Sequence, residues 1–138
     1  MATSSGYLAV NVLKEKSKAA YDAALKAFAA RGINALEVRM RNKDAVLLTV
    51  RHGDEIVGAC VARPDVARLD MIALEELSVL DAHRVPAHVA LLEELHRSGF
   101  FRFSRKPASD EEHEFLIKTM RFEAVGGPPD WPVEFRVS

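Results

Sequence analysis

The stretch VLDAHRVPAHVALLEEL (79–95) carries the residue types from which an anion site is built. Pro86 suits the first turn of a helix, where its missing N–H has no partner to lose, and Val89, Leu91, Leu92 and Leu95 supply apolar faces as far as Gly99. The spacing predicts a helix over 85–98. At its start the backbone N–H groups of Ala87, His88 and Val89 could point at an anion, with Arg84 and His88 adding positive charge; the alternative is a plain capped helix that binds nothing. Just upstream, Glu75 and Glu76 interrupt the apolar run MIALEELSVL (71–80). Side chains alternate along a strand, so one of the two must face away from its neighbour.

Other reactive types are less well arranged. His83, His88 and His96 with Glu93 suggest a metal site, but His88 and His96 are two helical turns apart and no close i, i+4 histidine pair exists, so no metal is expected. Cys60 sits in an apolar strand run, where a thiol acts as a small buried hydrophobe. The basic patch RFSRKP (102–107) is followed at once by SDEEHE, which offsets its field.

The elements that must position these groups follow from periodicity. YLAVNVL (7–13) reads as a strand, and Ser17 caps a helix in which Tyr21, Ala24, Leu25 and Phe28 share a face before Gly32 stops it. ALEVRMR (35–41) sets Leu36, Val38 and Met40 against Glu37, Arg39 and Arg41, which predicts a half-exposed strand, with a short helix as the alternative. Two β-branched runs flank His52, Gly53 and Asp54, a hairpin whose second strand ends at Pro64, and MIALEELSVL makes a central strand. FFRFS follows as a strand, Ser109 and Glu112 form a capping box starting a helix over 109–122, and VEFRVS closes as a last strand after Gly126 and Gly127.

Bulk composition narrows the class. At 138 residues, 49% hydrophobic and 28% charged, the chain fits one globular domain, 1–138. Its 19 basic and 20 acidic residues leave a net charge of -1, which argues against general nucleic-acid binding. No apolar run suits a membrane span, and neither a secretory leader nor a second cysteine is present, so a cytoplasmic setting is expected. Trp131, in PPDWPVEF, covers the end of the core or anchors a partner, which leaves room for a homodimer or larger assembly.

Taken together, VRHGDEIVGACVA, ELSVLDAHRVPAHVALLEEL and SDEEHEFLIKTMRFEAVGG, spanning roughly 45–127, resemble the hairpin, acyl-CoA strand–turn–helix and late helix of the GNAT acyltransferases. The resemblance implies an α+β fold: a GNAT-like mixed sheet, mostly antiparallel with a central parallel pair, flanked by helices. It also implies acetyl transfer from acetyl-CoA to a small-molecule or protein amine. The family's leading arginine falls on Arg84 and its two glycine-type positions on Ala87 and Val89, with Pro86 between, so the phosphate turn is degraded.

By the same resemblance the base is a strand glutamate, Glu75 or Glu76, with Glu75 on the matching face, and the oxyanion donor is a main-chain N–H near Val79 or Leu80. Both glutamates lying merely exposed at a strand end is the alternative. The family's acidic tyrosine position becomes Ile117, with His113 one turn earlier as a weak substitute. Replaced glycines and a missing tyrosine equally suit a non-catalytic GNAT-fold binding or structural protein, a reduced form also found among small bacteriophage proteins.

Overall fold

The computed structural model describes residues 6–14, 17–41 and 44–137, with 35 and 36 by backbone only. Residues 1–5 and 15–16 of the stretch read for a leader, the side chain of Leu36 in the expected strand 35–41, and Ser138 at the end of VEFRVS lie outside the described residues.

Strand β1 (Tyr7–Asn11) leads through a 3-10 turn to helix α1 (Lys18–Ala30), whose cap is Ser17: its hydroxyl accepts the Ala20 N–H at 3.2 Å. At 35–41 the strand expectation is corrected to a helix, α2 (Ala35–Arg41). The reason is local. The Asn34 side-chain oxygen accepts the Glu37 N–H at 3.0 Å while its amide donates to the Glu37 carboxylate at 3.1 Å, a cap that begins a helix. Val38 is buried and Met40 is 71% exposed, so alternate residues do not share an environment.

The hairpin forms as expected, β2 (Val46–His52) and β3 (Glu55–Pro64), with Gly53 at φ 63° in the turn. Strand β4 (Met71–Val79) is followed by α3 (Arg84–Arg97), β5 (Arg102–Arg105) and α4 (Asp110–Lys118). The last helix is shorter than its pattern suggested. Thr119 and Met120 N–H both close on the Phe115 carbonyl, Phe122 N–H reaches back to Leu116, and Arg121 turns at φ 65°. A two-residue strand, β6 (Glu123–Ala124), then pairs with β7 (Val133–Arg136).

The sheet order is β1-β2-β3-β4-β5-β7-β6, antiparallel except for the central β4–β5 pair. Both faces are covered. Leu48, Val50, Cys60, Ile72 and Phe103 pack with Ala87, Leu91 and Leu95 of α3 and Leu116 of α4. On the opposite face Leu47, Ala59 and Val61 meet Ala24 and Phe28 of α1 and Val38 of α2. Each fully buried side chain of this size stabilises by about 1.5–3 kcal/mol.

Strand β5 accompanies β4 for four residues only, Met71–Leu74 beside Arg102–Arg105. There β4 also bulges: Leu74 lies opposite Ala62 and Glu76 opposite Val61, leaving Glu75 as the extra residue. Arg105 fills the fork. One terminal nitrogen donates to the carbonyls of Leu74 and Glu75 at 3.1 and 3.0 Å. Nε and the other terminal nitrogen donate to Glu112 at 2.9 and 3.1 Å, and Glu112 also accepts the Ala108 N–H at 2.7 Å. With side chains 5% and 13% exposed, this is a buried ion pair.

Removing one partner of such a pair leaves an uncompensated charge, so Arg105→Met is expected to lose about 3–5 kcal/mol, read from urea denaturation. A second expectation concerns His88, buried against Phe115 with its Nδ1–H donating to the Arg84 carbonyl at 2.7 Å. Burial holds the imidazole below its ordinary pKa. Its stabilising contribution is therefore complete above the unfolded value of about 6.5 and is lost as pH falls through the folded one. The urea midpoint of the native chain should drop more between pH 6.5 and 5 than that of His88→Leu.

Candidate active site

Among the described residues no strand lies beside the edge of β4 that faced β5 beyond Leu74 and Arg105. Which backbone groups lie on that edge follows from hydrogen-bond alternation. Leu80 N–H donates to the Val57 carbonyl at 2.9 Å, toward β3. In an antiparallel ladder alternate residues bond the same neighbour, so Ser78 and Glu76 also turn to β3, while the N–H and C=O of Leu77 and Val79 turn to the open side. Gly58 faces Val79, and a Cβ there would meet the valine methyl at 3.3 Å. Of the two expected oxyanion donors, Leu80 N–H is engaged and Val79 N–H faces the gap.

The bulge also decides how the two glutamates lie. Val61 and Arg63 are two apart on β3 and share a face; Glu76 sits opposite Val61, and Glu75 accepts a bond from Arg63 Nε at 2.8 Å. Both carboxylates therefore lie on the α1 side, where simple alternation had separated them. Glu76 is exposed, whereas Glu75 is half-buried in the wall of a cavity of about 340 Å³. Arg63, Ala73, Ser104, Arg105 and Lys106 line the same cavity.

At the other side of the fork stands the turn. Arg84 N–H donates to the Asp81 carbonyl. With His83 as the cap of α3, the i to i−4 pattern takes the N–H of Ala87 to His83, of His88 to Arg84 and of Val89 to Val85. The three amides expected to converge are thus helical, and Pro86 has none. Ala87 and His88 are buried, and Val89 is at the surface. His88, bonded through Nδ1–H and depressed by burial, adds no charge at neutral pH.

Arg84 itself is engaged. Its two terminal nitrogens grip Glu111 of α4, Nη2 at 2.9 Å from Oε1, and the guanidinium carbon lies 3.9 Å above the Phe115 ring. The bonded Arg84 holds the Glu111 carboxyl below its ordinary range. An anion arriving at this turn competes with Glu111.

The remaining candidates lie elsewhere. His113 packs against Trp131 at 6.4 Å, and Ile117 lines the same surface groove, so neither reaches the fork from that side. Trp131 is 49% exposed, with its N–H on the Gly127 carbonyl. His96 packs on Phe101. Cys60 is fully buried, and desolvation pushes its thiol up to about 12.

One group was missed. Tyr7 hydroxyl sits 2.7 Å from His83 Nδ1, its ring stacks on His52 at 4.4 Å, and Glu55 approaches His83 Nε2 at 4.0 Å. A sequence separation of 76 between Tyr7 and His83 hides this contact. Only the pairing of β1 with β2, which sets Tyr7 opposite His52, gives a clue to it.

No family model matches the chain, and no curated protein matches it in sequence. Solved structures match it in shape. The AtaT–AtaR complex bound to DNA gives a TM-score of 0.57 over 94% of this chain and 93% of that chain, at 14% identity. AtaTR bound with acetyl-CoA gives 0.53 over 71% of each chain, at 12% identity. A protein of Desulfovibrio desulfuricans described as a member of the GNAT family gives 0.52 over 69% of this chain and 71% of that chain, also at 12% identity. The expectation of no nucleic-acid binding gains no support, since one of these complexes holds DNA. Among the described residues no helix is long and apolar enough to cross a membrane. The seven-stranded mixed sheet with its single parallel pair, the fork between β4 and β5, and these likenesses together give the chain the fold of the GNAT acetyltransferases.

Proposed function

We propose that the chain is an acetyltransferase that moves an acetyl group from acetyl-CoA to an amine at the β4–β5 fork. The observation that carries this reading is the unpaired edge of Leu77 and Val79. An extended ligand bearing amides can add to such an edge as a strand would, and the acyl-carrying arm of acetyl-CoA has two amide groups in an extended chain. The residues present fit that arm. At the phosphate end they offer Arg84, which must first leave Glu111.

Bound there, acetyl-CoA supplies an activated acetyl group, and the chain's own residues do the rest. Val79 N–H is the oxyanion donor, in a position fixed by the β3 ladder before any substrate arrives. Glu75 accepts the amine proton, being the carboxylate that lines the cavity, while Glu76 stands outside it in water. No hydroxyl replaces the family's tyrosine at Ile117, so the departing thiolate takes its proton from solvent.

A non-catalytic binding role is favoured by one observation, the Arg84–Glu111 pair that closes the phosphate end.

Calorimetric titration of the purified chain with acetyl-CoA decides between these. Binding is expected, and Glu111→Gln, which frees Arg84, should tighten it several-fold while Arg84→Ala weakens it. Absence of binding at millimolar acetyl-CoA in both the native chain and Glu111→Gln removes the transferase reading. Where binding is seen, Glu75→Gln should keep the affinity and slow turnover about 10²–10⁴-fold, the usual contribution of a positioned base.

A further inference from the structure

The cavity beside Glu75 carries more information than the position of a base. It opens on the face of the sheet opposite α3, where Ala73 pairs with Ser104, and it lies against the last residues shared by β4 and β5. At about 340 Å³ it is near the lower end of small-ligand pockets, roughly 300–1,000 Å³. Pro132 of the β6–β7 connection closes one side, and Lys106 reaches toward Asp130 of that connection at 3.6 Å.

Its polar groups are unequally used. Arg63 bonds Glu75 through Nε alone, so its two terminal nitrogens and the second oxygen of Glu75 have no partner among the described residues. The Arg63–Glu75 pair is partly solvated, with side chains 44% and 25% exposed, and is readily opened by a ligand that offers the same charges. Arg105 is neutralised by Glu112. Lys106 faces Asp130, so the pair left to a ligand is Arg63 with Glu75, one positive and one negative charge.

We propose that the acceptor is a small zwitterion of the amino-acid type: its amino group at Glu75, its free carboxylate on the fork of Arg63 and beside Lys106. The proposal rests on the acetyl-transfer reading. A planar guanidinium with two parallel N–H groups matches a carboxylate, and a zwitterion brings one charge of each sign to the Arg63–Glu75 pair that it opens. A cationic amine without an acid group takes Glu75 and leaves the Arg63 guanidinium without a counter-charge. In the reaction the amine nitrogen forms the amide C–N bond as the C–S thioester bond breaks. The amine proton passes to Glu75, and the thiolate is protonated by solvent. An N-terminal peptide or an aminoacyl ester has no free carboxylate at this place, so neither is the acceptor this wall selects.

The test sets the standard L-amino acids against their carboxamides, which keep the amine and side chain and lose the acid. With acetyl-CoA present, mass spectrometry of products should show at least one amino acid acetylated tenfold or more faster than its carboxamide. Arg63→Gln should raise the KM for that amino acid tenfold or more, leaving acetyl-CoA affinity within twofold. If acetyl-CoA binds and carboxamides or polyamines are acetylated as fast as amino acids, the proposal is overturned while the transferase reading stands. If acetyl-CoA does not bind, titration of the amino acids alone still decides. Binding lost on amidation and weakened in Arg63→Gln upholds the zwitterion site, and equal or absent binding overturns it.

Discussion

Arg105 and Glu112 hold open the place where the sheet divides. Two adjacent parallel strands normally continue side by side because each satisfies the other's backbone groups. When β5 stops after four residues, the carbonyls of Leu74 and Glu75 need donors, and one guanidinium nitrogen supplies both. The charge thereby buried is matched by Glu112, whose own place is fixed by the Ser109 cap at the start of α4. The fork is thus a satisfied structure, and beyond it β4 runs on with no strand on that side among the described residues.

The bulge at Glu75 has a second effect. It places two successive carboxylates on one face, one in a cavity wall and one in water, and so gives chemically identical side chains different surroundings. On the other face the turn before α3 starts a helix, and its Arg84 is paired with Glu111. Two separate arginines are each held by a carboxylate, Arg84 by Glu111 and Arg63 by Glu75.

Most of the architecture was legible because it depends on local rules. The Ser17 and Ser109 caps, the Gly53 turn and the apolar stripe of α3 each specify an element within a few residues. Where two local rules competed, at 35–41, the Asn34 cap overrode a period-two pattern. The site was less legible because its features are non-local. A bulge that turns Glu75 toward Arg63, a guanidinium spanning from β5 to β4, and Tyr7 meeting His83 all arise from register between distant segments. Arg105 in particular reads in the sequence as part of an exposed basic patch, and nothing near it announces that it is buried.

The placement of Cys60 sets a limit on how copies of this protein can associate. Its sulfur is sealed at the centre of β3 and held up to about 12 by the apolar packing around it, so hardly any thiolate exists at neutral pH. With no other sulfhydryl in the chain, neither a mixed disulfide with a small thiol nor a covalent link between two copies forms while the fold is intact. Copies of this chain therefore associate without a disulfide through Cys60.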